Sequence, residues 1–171
     1  QHPEVIAHMQ ECAAWNGVGA GFSHLSGAQY RVQRELEETV AQWQGCSGAL
    51  LFGSGYQANL AVMQALLRSG ELCVQDVLNH ASLADAAQLA GADLRHYPHI
   101  SADGALRQLR SRPDAPALLA TNGIFALDGD IAPLKILAVL ARTENATLYV
   151  DDAHGTGVIG PDGRGSVAHA G

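Results

Sequence analysis

Residues 147–160 read TLYVDDAHGTGVIG. The apolar run at 148–150 predicts a buried strand, and two carboxylates, Asp151 and Asp152, follow it at once. His154 comes next, among glycines that allow the chain to turn closely. Ionisable side chains at the end of a buried strand need a partner. The stretch therefore predicts a binding site for a positively charged or aromatic group.

The rest of the chain alternates between predicted helices and predicted strands. Helices are predicted at 3–15, 29–44, from Gly55 to about 67, 81–90, 103–111 and 133–143, and strands at 50–52, 72–74, 94–97, 117–121 and 147–150. This alternation indicates an α/β fold with a largely parallel sheet. In such folds, ligands bind at the carboxyl ends of the strands.

Composition and charge exclude several classes of protein. The 171 residues are 47% hydrophobic and 16% charged, which is typical of one globular domain with a real core. The net charge is -7 and the ten basic residues are scattered, which argues against a nucleic-acid surface. No apolar run approaches the length of a membrane span. Cys12, Cys46 and Cys73 lack metal-ligand spacing and predict free thiols in a reducing compartment, the cytoplasm.

Three polar stretches lie where strands are predicted to end, at 54–56, 79–82 and 151–154. The first is either a tight turn or a helix start whose N–H groups and dipole attract a phosphate. His80, in the second, is either a structural histidine or a flat ring that lies against a planar cofactor. Asp151 and Asp152, in the third, either cap a turn or bind a ligand. No spacing in these stretches matches a metal site.

Together, these groups match one cofactor, pyridoxal 5'-phosphate. A helix start suits its phosphate, and a flat imidazole suits the face of its ring. A carboxylate keeps its pyridine nitrogen protonated, so that the ring withdraws electrons, and a second imidazole suits its phenolic oxygen. His96 and His99 lie apart from these stretches and are not predicted to be ligands. The combination predicts a pyridoxal phosphate site and no metal site.

Six segments resemble the α-oxoamine synthases, the fold-type I pyridoxal phosphate enzymes that join an amino acid to an acyl-CoA. They are GVGAGFSHLSG (17–27), QYRVQRELEETVAQW (29–43), ALLFGSGYQANLAV (49–62), LNHASLADAAQLAG (78–91), TNGIFALDGDIAPL (121–134) and VDDAHGTGVIGPDGRG (150–165). The resemblance implies an α/β, three-layer large domain with a mostly parallel mixed sheet flanked by helices. Residues 1–171 are expected to be a part of it. Residues 1–45 would hold the N-terminal helix, the glycine-rich loop and an amphipathic helix, and 46–171 the alternating core.

The resemblance also assigns roles to individual residues. Gly55 and Tyr56 match residues that hold the cofactor at a strand-to-helix turn, and His80 matches a histidine stacked on the pyridine face. Asp151 matches the carboxylate on the ring nitrogen, and His154 a histidine beside the phenolic oxygen. These five residues are the predicted cofactor-binding set.

Three positions depart from the family pattern. Asn122 stands where the family has an acid, and Ala126 where it has a serine that hydrogen-bonds near the phenolic edge of the cofactor. Lys135, the only lysine, does not match the lysine that forms the Schiff base. The resemblance places that lysine beyond Gly171, together with the C-terminal domain. The catalytic residue is therefore unknown, and residues 1–171 alone are expected to be inactive.

The resemblance implies a homodimeric acyltransferase that condenses an amino acid with an acyl-CoA or acyl carrier protein thioester and releases carbon dioxide. The loops at 23–27 and 153–157 favour the member of the family that uses L-alanine. Glycine C-acetyltransferase, 5-aminolevulinate synthase and serine palmitoyltransferase share the cofactor site and stay open as alternatives. A non-catalytic remnant is another alternative, to which the missing lysine, Asn122 and Ala126 point.

Overall fold

The computed structural model describes residues 2–19 and 31–171. They form two compact units, which divide between Leu51 and Phe52. In the first unit the described helices are α1 (Pro3–Asn16) and α2 (Arg31–Gln44). Most of the predicted glycine-rich loop at 17–27, and the first two residues of the helix predicted at 29–44, lie outside the described residues.

The start of α1 follows from its first residues. Pro3 occupies the first helical turn, where a missing N–H does no harm, and the His2 side chain accepts a hydrogen bond from the Glu4 N–H. The helix has no buried residues, and α2 buries Ala41 alone. The core that positions the predicted site is therefore the one in the second unit.

The strand predicted at 50–52 is wrong. Leu50 is 77% exposed, and the Leu51 N–H donates to Glu37 Oε1 at 2.9 Å. A strand needs a neighbouring strand whose carbonyls accept its N–H groups. Here a carboxylate side chain accepts the Leu51 N–H. The apolar run at 50–52, which was predicted to be a strand, is therefore a loop.

The second unit contains the predicted alternation of helices and strands. Its elements are α3 (Gly55–Leu66), β1 (Leu72–Asp76), α4 (Ala81–Leu89), β2 (Asp93–Tyr97), α5 (Ala102–Arg110), β3 (Ala117–Asn122), α6 (Leu134–Thr143), β4 (Ala146–Asp151), a 3-10 turn (Pro161–Gly163) and α7 (Gly165–Ala170). The last two were not predicted from the sequence. Among the described residues the strand order is β2-β1-β3-β4, and each pairing is parallel.

Helices cover both faces of this sheet. Cys73 and Leu118 pack with Met63 of α3 and Leu83 of α4 on one face. Their strand neighbours, which point the other way, pack on α5 and α6: this second cluster includes Leu72, Val74, Leu119, Leu109 and Leu137. Burial of these apolar side chains on both faces stabilises the unit. The predicted α/β fold with three layers is confirmed.

Because the strands are parallel, their carboxyl ends lie at one edge of the sheet. Asn122 at the end of β3 is paired in register with Asp151 at the end of β4, so both side chains project from the same face. Tyr149, two residues before Asp151, projects from that face too. The sheet therefore brings the predicted polar residues to one place.

Within the described ranges, none of the helices is both long enough and apolar enough to cross a bilayer.

The three cysteines differ in burial, which gives a test of the fold. Cys73 is 0% exposed, and burial raises the pKa of its thiol to about 11, whereas Cys12 and Cys46 are exposed. We expect a thiol reagent near neutral pH to modify Cys12 and Cys46 but not Cys73 in the native protein, because the thiolate is the reactive form. Mass spectrometry before and after denaturation measures this. Equal labelling of all three thiols in the native protein would contradict the placement of β1.

Candidate functional site

A cavity of about 590 Å³ lies at the carboxyl edge of the sheet. All five residues of the predicted set, Gly55, Tyr56, His80, Asp151 and His154, line it. They come from the start of α3, the start of α4 and the segment after β4. Their cofactor-binding roles stay a prediction.

Hydrogen bonds fix both oxygens of the Asp151 carboxylate. Oδ2 accepts from Asn59 Nδ2 at 2.7 Å, and Oδ1 accepts from the Ala153 N–H at 3.1 Å. Both donors are neutral groups, so neither of them offsets the charge of a carboxylate at this position. Such a group can hold a proton on a heterocyclic nitrogen.

Asn59 connects α3 to Asp151 and to Ser82, and its role was not predicted from the sequence. It is buried in α3, and its amide nitrogen donates to Ser82 Oγ at 2.8 Å as well as to Asp151. Its Oδ1 accepts from the Tyr149 hydroxyl at 2.7 Å, so both the nitrogen and the oxygen of the amide have defined partners. Burial, and then the charge of Asp151, raise the pKa of Tyr149, which keeps the phenol protonated as the donor. No pattern within one element could have revealed a contact across 92 residues.

This network also sets the tautomer of His80. Ser82 Oγ lies 2.7 Å from His80 Nδ1, and the Ser82 N–H donates to the same nitrogen at 3.3 Å. Because Asn59 donates to Ser82 Oγ, the serine hydroxyl has its own proton free for His80. Nδ1 is therefore an acceptor in the neutral ring, and Nε2 carries the hydrogen. The ring is exposed on the cavity side, so its orientation is held from one edge only.

Asn122 anchors the backbone beside this ring. Its Oδ1 accepts from the His80 N–H at 2.8 Å. Its own N–H donates to Asn79 Oδ1 at 3.0 Å, and Asn79 Nδ2 donates to the Ala120 carbonyl at 2.9 Å. A carboxylate could accept the His80 N–H in the same way. Where the resemblance predicts an acid, Asn122 therefore accepts this bond without adding a negative charge to the cavity.

The helix start at α3 offers N–H groups to the cavity. Ser54 caps the helix by accepting from the Gln57 N–H at 3.2 Å. Within the described residues, no acceptor meets the N–H groups of Gly55 and Tyr56, and a Cβ at Gly55 would have nothing within 4 Å. The Tyr56 hydroxyl donates to Asp85 Oδ2 at 2.7 Å, and that bond raises the pKa of its phenol. The helix start is open to an anion.

The structure also shows where three other positions singled out from the sequence lie: His154, Ala126 and Lys135. His154 lines the cavity and is exposed, and the structure shows no hydrogen bond from it to another described residue. Ala126 lines the cavity too. Lys135 lies exposed on α6 and is not among the residues that line the cavity. Among the described residues, no group of three possible ligands could hold a metal ion.

Asp152, beside Asp151, has a structural role. Its Oδ2 accepts from the Ser166 N–H at 2.8 Å, and its Oδ1 accepts from the Ser166 hydroxyl at 2.5 Å. Three glycines surround this carboxylate: a Cβ at Gly123, Gly155 or Gly165 would come within 2.4 Å of one of its oxygens. Both aspartates line the cavity, but the Asp152 carboxylate is bonded to α7, whereas the Asp151 carboxylate is bonded to Asn59 and the Ala153 N–H.

The observations combine the Asp151 carboxylate, two imidazoles and an open helix start in one cavity. The protein-family model described as aminotransferase class I and II matches residues 2–170. The chain belongs to that family. The similarity to the α-oxoamine synthases is confirmed by curated relatives. One is the 8-amino-7-oxononanoate synthase of Xylella fastidiosa (strain M12), which is 57% identical over 171 residues, 99% of this chain and 43% of the relative.

Solved structures of the family agree on the fold. The serine palmitoyltransferase of Sphingomonas wittichii superposes with a TM-score of 0.94 at 30% identity, over 99% of this chain and 43% of that one. A serine palmitoyltransferase variant from S. paucimobilis with a bound PLP–myriocin aldimine gives 0.92 at 32% identity, over 98% and 42%. The chain therefore spans less than half the length of the relatives that it matches.

The packing around Asp152 gives the second test. A Cβ at Gly155 would lie 2.1 Å from Asp152 Oδ1 and 3.0 Å from the Ser166 nitrogen, so Gly155→Ala must displace this hydrogen-bonded pair. We expect a loss of roughly 1–3 kcal/mol in the free energy of unfolding. Gly48→Ala is the control, because nothing lies within 4 Å of its Cβ position. Denaturant unfolding of both variants measures the difference, and equal stability would refute the role given to Asp152.

Proposed function

We propose that the cavity binds pyridoxal 5'-phosphate and that the protein is an α-oxoamine synthase of the 8-amino-7-oxononanoate synthase type. The observation that carries this proposal is the Asp151 carboxylate. Asn59 and the Ala153 N–H hold it in place, and it lines one cavity with His80, His154 and the start of α3. A carboxylate held in this way, with no cationic partner among the described residues, suits a protonated heterocycle.

The donor set fits each part of the cofactor. Asp151 would hold the proton on the pyridine nitrogen, and the exposed ring of His80 would lie against the pyridine face. His154 would approach the phenolic oxygen, since its ring has no described hydrogen-bond partner that competes. The N–H groups of Gly55 and Tyr56 would meet the phosphate, whose charge the dipole of α3 stabilises.

The residues of this chain would supply binding and orientation. When bound with its ring nitrogen protonated, the cofactor withdraws electrons from the amino-acid α-carbon. Asp151 keeps that nitrogen protonated, and Asn59 keeps Asp151 aimed because its own amide is held by Tyr149 and Ser82. The group that moves the α-proton would be the lysine expected beyond Gly171. Its identity is a proposal drawn from the family resemblance.

The proposed reaction is the decarboxylative condensation of L-alanine with pimeloyl-CoA, or pimeloyl carrier protein, to 8-amino-7-oxononanoate in biotin biosynthesis. The 57% identity to the Xylella synthase supports it, although the matched region is 43% of that relative. A cytoplasmic homodimer is part of the same proposal. Serine palmitoyltransferase is the second candidate, because the Sphingomonas structure superposes with a TM-score of 0.94.

The two candidates differ in both substrates. With the full-length protein, release of coenzyme A from pimeloyl-CoA in the presence of L-alanine supports the first function. Release from palmitoyl-CoA in the presence of L-serine supports the second.

Cofactor binding gives the sharpest test. Asp151→Asn removes a charge-assisted hydrogen bond to the ring nitrogen, so we expect the pyridoxal phosphate dissociation constant to rise about tenfold or more. Asp114→Asn, an exposed carboxylate that does not line this cavity, should leave it unchanged. Equilibrium dialysis measures both without requiring a Schiff base. No binding by the unmodified protein would overturn the proposal, and identical affinity in the two variants would remove Asp151 from it.

Ala126 provides an independent test at the other edge of the cofactor. Ala126→Ser restores the hydroxyl of the family pattern at a residue that lines the cavity. A new hydrogen bond contributes about 0.5–1.5 kcal/mol, so cofactor affinity should rise by a few-fold or the absorbance should shift. Ala65→Ser, on the exposed side of α3, is the matched control. Unchanged affinity and unchanged absorbance in Ala126→Ser would contradict the predicted contact.

A further inference from the structure

The imidazole of His99 is hydrogen-bonded on both edges to carboxylates, outside the cofactor set. Nδ1 lies 3.0 Å from Asp76 Oδ1, and Nε2 lies 3.2 Å from Asp130 Oδ2. Both carboxylates accept only, so the arrangement is satisfied when both ring nitrogens carry a hydrogen. The ring would then be an imidazolium between two negative charges. The His99 side chain is 21% exposed, so solvent screens these pairs only in part.

Asp76 is the rigid side of this arrangement. It ends β1, is 1% exposed, and accepts from the Leu78 N–H at 2.9 Å and from the Ile100 N–H at 2.7 Å. Ile100 has a φ of 49°, a left-handed conformation that is unusual for a β-branched residue. Such a conformation persists when its surroundings hold it. The turn that carries His99 is therefore fixed to the buried sheet.

Asp130 belongs to the segment that His99 contacts, residues 123–132, which we call the cavity hairpin. Its two ends pair through an antiparallel bridge between Ile124 and Ile131, and the Phe125 N–H donates to the Asp130 carbonyl at 2.9 Å. Residues 125–128 of the hairpin line the cavity, and 126–128 are exposed. The His99 ring also meets the Phe125 ring edge-on, with centroids 4.5 Å apart. His99 thus contacts the cavity hairpin at two residues, through the carboxylate of Asp130 and through the ring of Phe125.

We propose that His99 is a positioning residue, which ties the cavity hairpin to the end of β1 and so holds the cavity wall formed by residues 125–128. His99 does not line the cavity, so it acts through Phe125 and Asp130 rather than on a ligand. Where it concerns cofactor affinity, this inference rests on the proposed function. Where it concerns the order of the hairpin, it depends on the contacts of His99 alone.

The strength with which His99 holds the cavity hairpin to the end of β1 depends on pH, and the direction of this dependence follows from its pKa. Burial lowers the pKa of His99, but the hydrogen bonds and charges of Asp76 and Asp130 outweigh this, and the pKa lies above its ordinary value of 6.5. Tyr97, which also lies near Asp76, stays a neutral phenol because burial raises its pKa. A group whose pKa is raised on folding contributes its stability below its unfolded pKa and loses it as the pH rises through the folded one. The hairpin should therefore loosen on the alkaline side of 6.5.

Hydrogen exchange of the cofactor-free, full-length protein tests the tie itself. We compare His99→Gln with His96→Gln, because His96 is exposed on β2 and has no described hydrogen bond. Asp130→Asn is a second variant, which keeps the imidazole and alters an exposed residue. We expect protection factors in residues 123–132 to fall on the order of tenfold in His99→Gln and Asp130→Asn, with no change in His96→Gln.

Two further readouts exclude a merely structural effect of the substitution. Protection in the unmodified protein, corrected for intrinsic exchange, should fall toward that of His99→Gln between about pH 6 and about pH 9. The dissociation constant for pyridoxal phosphate should rise several-fold in His99→Gln and Asp130→Asn, with no change in His96→Gln. Unchanged protection in both hairpin variants, or protection that does not depend on pH, would overturn the inference.

The outcomes also separate this inference from the proposed function. If the unmodified protein does not bind pyridoxal phosphate but the hairpin loses protection in His99→Gln, the proposed function fails and the tie stands. If the unmodified protein binds the cofactor and the dissociation constant is the same in all variants, the function stands and His99 has no positioning role toward it.

Discussion

The hydrogen bond between Asn59 and Asp151 is the interaction on which the candidate site depends. It joins the first helix of the second unit to the last strand of its sheet, at 2.7 Å. The same amide holds Ser82, and through it the ring of His80. One buried side chain therefore sets the direction of the carboxylate and of the imidazole together. A buried amide whose nitrogen and oxygen are both bonded is held in place, because rotation would leave a polar group without a partner.

The parallel sheet explains why this interaction is possible. Parallel strands end at one edge, so Asn122 and Asp151 lie side by side with their side chains on one face. On the other face, the end of β1 places Asp76 beneath the turn that carries His99. At this edge, polar contacts on one face of the sheet surround the cavity, and polar contacts on the other face support the cavity wall. Both sets of contacts arise because successive side chains along a strand point to opposite faces of the sheet.

Much of the second unit could be predicted from the sequence, because its signals are local. Apolar runs such as 72–74 and 117–121, separated by capped helices, predicted each strand of the described sheet to within two residues at either end. The run at 50–52 had the same apolar signal and formed no strand, because pairing depends on a neighbour that no local pattern reveals. His80, Asp151 and His154 could be placed in one cavity because they lie where strands end, whereas Gly55 and Tyr56 line it from a helix start that no described strand precedes. Asn59, and the division of roles between Asp151 and Asp152, could not, since both depend on contacts between distant segments.

The two sides of the cavity are far apart in the sequence, and this separation affects the stage of folding at which the cavity can form. Asn59 and Asp151 lie 92 positions apart, and β3, against which β4 pairs, lies between them. The contact between them is non-local, and contacts of this kind slow the folding of a domain. A ribosome-bound chain that ends before β4 would have helices and three strands but no place for a ligand. Ligand binding by this unit would thus report that β4 has joined the sheet.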